Sequence, residues 1–346
     1  MYSLIEMLRY KRPQGSSTQQ EFCERFLEPH FGLPDINGNY ILRIGDNPKI
    51  CFASHHDTVH KTEGLQQLVV TNNVVSVADP TISSCLGADC TTGIYIILNM
   101  IEAGVEGTYV IHAGEEIGCI GSSALVKDDP DWLKHTDAVI SFDRYGDKSI
   151  ITHQSGYRTA SDEFAASFSA AVGMPQLIAD NGGSYTDSNE YMSVVSECTN
   201  ISVGYQNEHT FSELQDIEHL EKLAVACTKV DWNSLPVERD PSKVEYRSYG
   251  GGWDWLMTIL NEEGIEVVDR VHCNNCISDP VVIEAGLKPG NYVVRVWNYS
   301  PSENNLSPYY LLLEFGDKDG DGVLDEEDNC PLISNLEQLD LDGDSV

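Results

Sequence analysis

Several segments in the first two thirds of the chain place residues that can bind a cation or move a proton just after a β-rich run or at the mouth of a helix. The run Lys49–Ala53 leads into His55-His56-Asp57, where His55 can ligate a metal and Asp57 can orient its imidazole. Gly87-Ala-Asp89 opens a helical stretch, so Asp89 is either a helix cap or a carboxylate shared between metals. The run Thr108–Ile111 leads into Glu115-Glu116. Neighbouring side chains on extended backbone point to opposite sides, so one carboxylate can hold a metal while the other faces a water molecule. Asp143 follows Ala138–Phe142, and His209 follows Ile201–Gly204 within Asn207-Glu-His209-Thr. Each of these alone also fits a polar loop residue, and their succession is what points to a metal site.

The elements that must position them alternate. Strands are expected at Tyr40–Arg43, Lys49–Ala53, Gln67–Val70, Val74–Val77, Thr108–Ile111, Ala138–Phe142 and Ile201–Gly204. Helices are expected at Thr91–Ala103, Ser161–Val172 and Ile217–Asp231. Near the start an amphipathic helix, a break at Pro13-Gln-Gly15 and a second helix Thr18–Leu27 with a Ser16-Ser17 cap signal are expected. Such alternation implies an α/β fold whose central sheet is mostly parallel and flanked by helices on both faces. The polar segment 236–252 reads as a linker after a catalytic domain at 1–235. Residues 253–315 alternate strand and turn signals and read as a small β-sandwich.

The order His-x-Asp, Gly-Ala-Asp, Glu-Glu, Asp, His resembles the co-catalytic zinc aminopeptidases and their lid-bearing carboxypeptidase relatives over roughly residues 20–232. The resemblance implies two zinc ions bridged by Asp89, with His55 and Asp143 completing one site and Glu116 and His209 the other. It makes Glu115 the general base, with Asp57 beside His55 as a catalytic residue that orients the ring. Cys90 stands where many lid-bearing relatives carry a second acid. Asp143 and His209 lie too close in sequence to enclose a separate lid, which favours the compact aminopeptidase form. The stretch Ser184-Tyr185-Thr-Asp187 resembles the family's substrate-pocket segment, implying contacts from Tyr185 and Asp187, although a turn with an Asx cap explains the same residues.

Composition is that of a globular chain of 346 residues, 41% hydrophobic and 22% charged. A net charge of -34 makes nucleic acid and anionic membrane surfaces improbable partners; peptides or amides are the substrate that the resemblance implies. No run reaches membrane-span length, and Met1–Tyr10 lacks a signal-peptide core. Cys23, Cys51, Cys85, Cys90, Cys119, Cys198 and Cys227 are dispersed and read as buried free thiols.

Acids concentrate near the C-terminus. Asp317, Asp319, Asp321, Asp325 and Asp328 occupy positions 1, 3, 5, 9 and 12 of a calcium-type loop, with Gly322 at position 6. The continuation through Asp328-Asn-Cys-Pro331 resembles a thrombospondin type 3 repeat, which implies bound calcium in 316–346. The next such loop stops at Val346, so a fragment or a truncated frame is expected. A calcium module belongs outside cells, whereas the N-terminus shows no export signal, and location stays open.

The expected activity is hydrolysis of amide bonds near a peptide's amino terminus. Two other readings share the sequence: a single-zinc glutaminyl-cyclase-like acyltransferase, and a calcium-dependent adhesion or binding protein with an inactive hydrolase domain. The oligomeric state is left open.

Overall fold

The computed structural model describes residues 2–129 and 132–243 and the backbone of three further strands, Asp254–Leu260, Glu266–Asn274 and Val293–Asn298. The central sheet has strands β1 (Tyr40–Ile44), β2 (Ile50–His55), β3 (Gly107–His112), β4 (Ala138–Arg144), β5 (Ser149–Ile151), β6 (Ile178–Asp180) and β7 (Glu197–Ser202). Their order is β6-β5-β7-β4-β2-β3-β1. The four middle strands β7, β4, β2 and β3 run parallel. β1 is antiparallel to β3, and β5 is antiparallel to β7. The sheet is therefore mixed, parallel at the centre and reversed toward both edges.

Side chains alternate between two cores, as the strand pleat requires. On one face Phe52, Tyr109, Ile140 and Phe142 pack with helices α1 (Ala88–Glu102), α3 (Asp162–Val172) and α4 (Ile217–Cys227). On the other face Cys51, Ala53, Val110 and Val139 pack against helix α2 (Ile120–Asp128) and the short helix Asp187–Tyr191. Burial on both faces explains why these strands read as nearly continuous apolar runs.

Gly93 lets α1 lie directly on the sheet: a Cβ there would stand 2.6 Å from Ser54 Oγ and would overlap the Phe142 carbonyl. Ser161 caps α3 by accepting the Phe164 amide at 3.1 Å. Near the start, Ser16 likewise accepts the Gln19 amide, and Ser17–Phe22 is followed by a π-turn at Cys23–Leu27. The first helix is only Leu4–Met7; Tyr10–Lys11 then pairs with Gly64–Leu65, so extended backbone replaces the longer amphipathic helix.

A second, antiparallel sheet joins Leu68–Thr71, Val74–Val77, Leu214–Asp216 and Tyr205–Gln206. Its last hairpin carries His209 in its loop. Glu197 anchors the chain beyond α4: its carboxylate accepts the amides of Ser161, Glu238 and Arg239. All seven cysteines of the described core are buried and free. No described helix is long and apolar enough to cross a membrane. The strands at 254–298 form a three-stranded antiparallel sheet; the rest of the expected sandwich, and the calcium loop with Asp317, Asp319, Asp321, Asp325 and Asp328, lie outside the described residues.

Candidate metal centre

The fold gathers His55, Asp89, Glu116, Asp143 and His209 at the C-terminal end of the parallel strands, the edge where open α/β sheets bind ligands. His55 ends β2, Asp143 is the penultimate residue of β4, and the two glutamates follow β3. Asp89 is the second residue of α1. His209 reaches in from the hairpin loop with left-handed backbone, φ 60°.

His209 Nε2 lies 3.1 Å from Asp89 Oδ2 and 3.2 Å from Glu116 Oε1. His55 Nε2 lies 3.5 Å from Asp143 Oδ1 and 3.9 Å from Glu115 Oε2. Ligands at about 2.0–2.1 Å from a tetrahedral zinc stand about 3.3 Å from one another, so these spacings fit such a coordination shell. Donor atoms of Asp89, Glu116 and His209 all lie within 4.8 Å of one another, as do those of His55, Glu115 and Glu116. Glu116 Oε1 is buried and has no hydrogen-bond partner beyond its approach to the His209 ring, an acceptor that a cation would satisfy.

The electrostatics agree. Hydrogen bonding to Asp89 and Glu116 pushes His209 up to about 11. Burial pushes Glu115 up to about 9 and Glu116 up to about 7, with neighbouring carboxylates adding to each. A cluster that draws in protons this strongly is one whose negative charge asks for metal cations.

Asp57 organises the centre from beneath. Its Oδ1 lies 3.3 Å from His55 Nδ1, which leaves Nε2 facing the cluster. The same carboxylate accepts the amides of Glu115 and Glu116, each at 3.1 Å. Asp143 is held by Thr186, whose hydroxyl donates to Oδ2 at 2.9 Å, and by Asn200, whose Oδ1 accepts its amide. Tyr205 donates its hydroxyl to the Asp143 carbonyl.

Arg12 is fully buried below the site and donates to His56 O, Cys90 Sγ and Thr91 Oγ1. Cys90, in the position after Asp89, thus receives a cationic donor and passes its own proton toward the Asp57 carbonyl at 3.1 Å. None of Arg12, Thr186 and Asn200 is flagged by a metal-binding pattern in sequence; each is an isolated polar residue whose role arises from contacts far along the chain.

The two expected pocket residues part company. Tyr185 is exposed, and its hydroxyl bonds Glu190. Asp187 is buried: Ser122 Oγ donates to its Oδ1 at 2.6 Å, and Oδ2 has no partner.

An open α/β sheet presenting carboxylates and imidazoles in this way belongs to a metallopeptidase, a zinc-dependent hydrolase of peptide bonds. Residues 39–190 match peptidase family M28. In fold, the chain is similar to the aminopeptidase PepT from Bacillus cereus, with 15% identity, a TM-score of 0.54, and coverage of 65% of this chain and 95% of that one. A tripeptidase from Staphylococcus aureus gives 14%, 0.52, 65% and 95%. An aminopeptidase from the archaeon Desulfurococcus kamchatkensis gives 12%, 0.51, 65% and 93%. No curated protein matches the sequence.

Proposed function

We propose that the domain at residues 1–235 is an aminopeptidase that works with two zinc ions. The carrying observation is the convergence of five donors, His55, Asp89, Glu116, Asp143 and His209, with a sixth group, Glu115, beside them. Asp89 would be the carboxylate shared by both sites, with His55 and Asp143 holding one zinc and Glu116 and His209 the other. When bound, zinc lowers the pKa of water from 15.7 toward about 7 and polarises a carbonyl. Glu115 takes the proton of the attacking water and returns it to the leaving amine. Asp57 keeps the His55 ring in place, and its hold on both glutamate amides fixes where each carboxylate points.

The charges around Glu115 are those of His55, Asp143, Asp187 and Glu116. Such an acid-rich surround favours a substrate bearing a cationic amino terminus over one presenting a free C-terminal carboxylate. Five donors exceed the needs of a single-zinc cyclase, and a general base beside them is superfluous in a binding module. Asp317, Asp319, Asp321, Asp325 and Asp328 are the proposed calcium ligands, supported by their loop spacing.

The test combines zinc analysis of the purified chain with hydrolysis of three reporter peptides, one with a free amino terminus, one acylated and one with a free carboxy terminus only. Two zincs per chain and cleavage of the first alone are expected. Cleavage of the acylated peptide at an equal rate, or one zinc per chain, would overturn the proposal.

A further inference from the structure

A buried carboxylate outside the metal cluster ties together two of the loops that build it. Glu213 has no exposed surface and sits at the base of the hairpin whose loop carries His209. Its Oε2 accepts the amides of Leu86 at 2.7 Å and Gly87 at 3.0 Å, and its Oε1 accepts that of Ala88 at 2.8 Å. These are donors at the N-terminal end of α1, which the helix itself leaves unsatisfied.

The residue in the capping position cannot satisfy them. Gly87 has no side chain, and a Cβ there would meet Thr58 Cγ2 at 2.9 Å and His60 Cε1 at 3.0 Å. Its φ of 70° also favours glycine. The cap is therefore supplied from 125 positions away in sequence. A buried carboxylate is costly unless its oxygens are bonded, and three amides meet that need. His209, by contrast, is half exposed with strained backbone, so the hairpin base is what sets its approach.

We propose that Glu213 is a positioning residue for the zinc held by Asp89, Glu116 and His209. It fixes the His209 loop against the turn that presents Asp89, so that the two ligands move as one unit. The proposal rests on the zinc reading given above and adds a residue that touches neither metal nor substrate.

The experiment measures zinc affinity by chelator competition on the full chain, in the wild type, Glu213→Gln, Glu213→Asp and Leu223→Ala. Glutamine keeps the size but turns an N–H donor toward a backbone N–H. The zinc held by Glu116 and His209 should weaken by about 10–100-fold, the usual effect of losing an outer-shell partner, and the other, which shares only Asp89 with it, should weaken less. Excess zinc should restore kcat. Leu223→Ala, a core deletion in α4, should lower Tm without changing either zinc affinity. If Glu213→Gln does not fold, Glu213→Asp carries the same test, since its carboxylate is withdrawn by one methylene. Wild-type affinity at both sites in the folded variant overturns the proposal, as does equal weakening in Leu223→Ala at equal loss of Tm. A wild type that binds no zinc overturns the zinc reading and the clamp together.

Discussion

Glu115 and Glu116 hang from a single anchor yet face different partners: both amides donate to Asp57, while Glu116 Oε1 lies 3.2 Å from His209 and Glu115 Oε2 lies 3.9 Å from His55. Two side chains adjacent in sequence are thereby given separate work. Glu115→Gln should retain zinc while turnover falls by about two to four orders of magnitude, the usual contribution of a general base. Glu116→Gln should instead weaken one zinc, because an amide is a poorer ligand than a carboxylate. Zinc content and kcat on one reporter peptide separate the two; zinc loss in the first variant with retention in the second would reverse the roles.

Asp57 is not one of the proposed ligands, but it aims two that are, His55 and Glu116, and the base Glu115 beside them. In Asp57→Asn one oxygen becomes an N–H₂ facing a backbone amide or the His55 Nδ1. A loss of about 10–100-fold in zinc affinity or activity is expected, with little change in the far-ultraviolet spectrum. A variant with wild-type affinity and rate would show that His55 and the glutamate amides hold their positions unaided.

Gly93→Ala pits two effects against each other. Alanine gains about 1 kcal/mol of helix propensity over glycine. Its Cβ must fit 2.6 Å from Ser54 Oγ and against the Phe142 carbonyl, and overpacking of this kind costs about 1–3 kcal/mol or more. Contact with backbone cannot be relieved by a rotamer, so the clash wins and Tm falls. Since α1 also carries Asp89, zinc affinity should fall with it. An unchanged or raised Tm in thermal denaturation would refute the close packing of α1.

Acid should destabilise the fold through its buried histidines. Burial pushes His112 down to about 3 and His56 and His60 down to about 4. The unfolded chain takes up these protons near pH 6.5, whereas the folded chain does not, so these three histidines make unfolding easier as pH falls from about 6.5 toward 4, against an opposite contribution from the raised Glu115 and Glu116. For His112 alone the slope is about 1.4 kcal/mol per pH unit across that window. Urea titrations of the zinc-stripped wild type and His112→Gln should show a shallower acid dependence in the variant, and equal slopes would mean that His112 is not held neutral.

The residues of the proposed ligand set stand out in the sequence because each follows a strand or opens a helix, so local pattern locates it. The apolar runs around Ile50–His55 and Ala138–Arg144 gave their strands directly, since both faces are buried. β7 was read only from Ile201, because Glu197, Thr199 and Asn200 look like loop residues until their buried hydrogen bonds are seen. The three-residue strands Ser149–Ile151 and Ile178–Asp180 are too short to show a period. Glu213 and Arg12 were invisible for a different reason. Their partners lie 125 and 78 positions away, and nothing in their own neighbourhoods distinguishes them from solvated charges.

The anchorage of Arg239 has a mechanical meaning. Its guanidinium holds the carbonyls of Met192, Val195 and Ser196, and its amide holds Glu197, at the start of β7 and so at the end of the sheet away from the metal loops. A six-residue strand spans about 20 Å. Tension applied to the chain beyond residue 243 is therefore borne first by this staple, and the load passes into the sheet along the strand axis before it can reach Asp143 or His209.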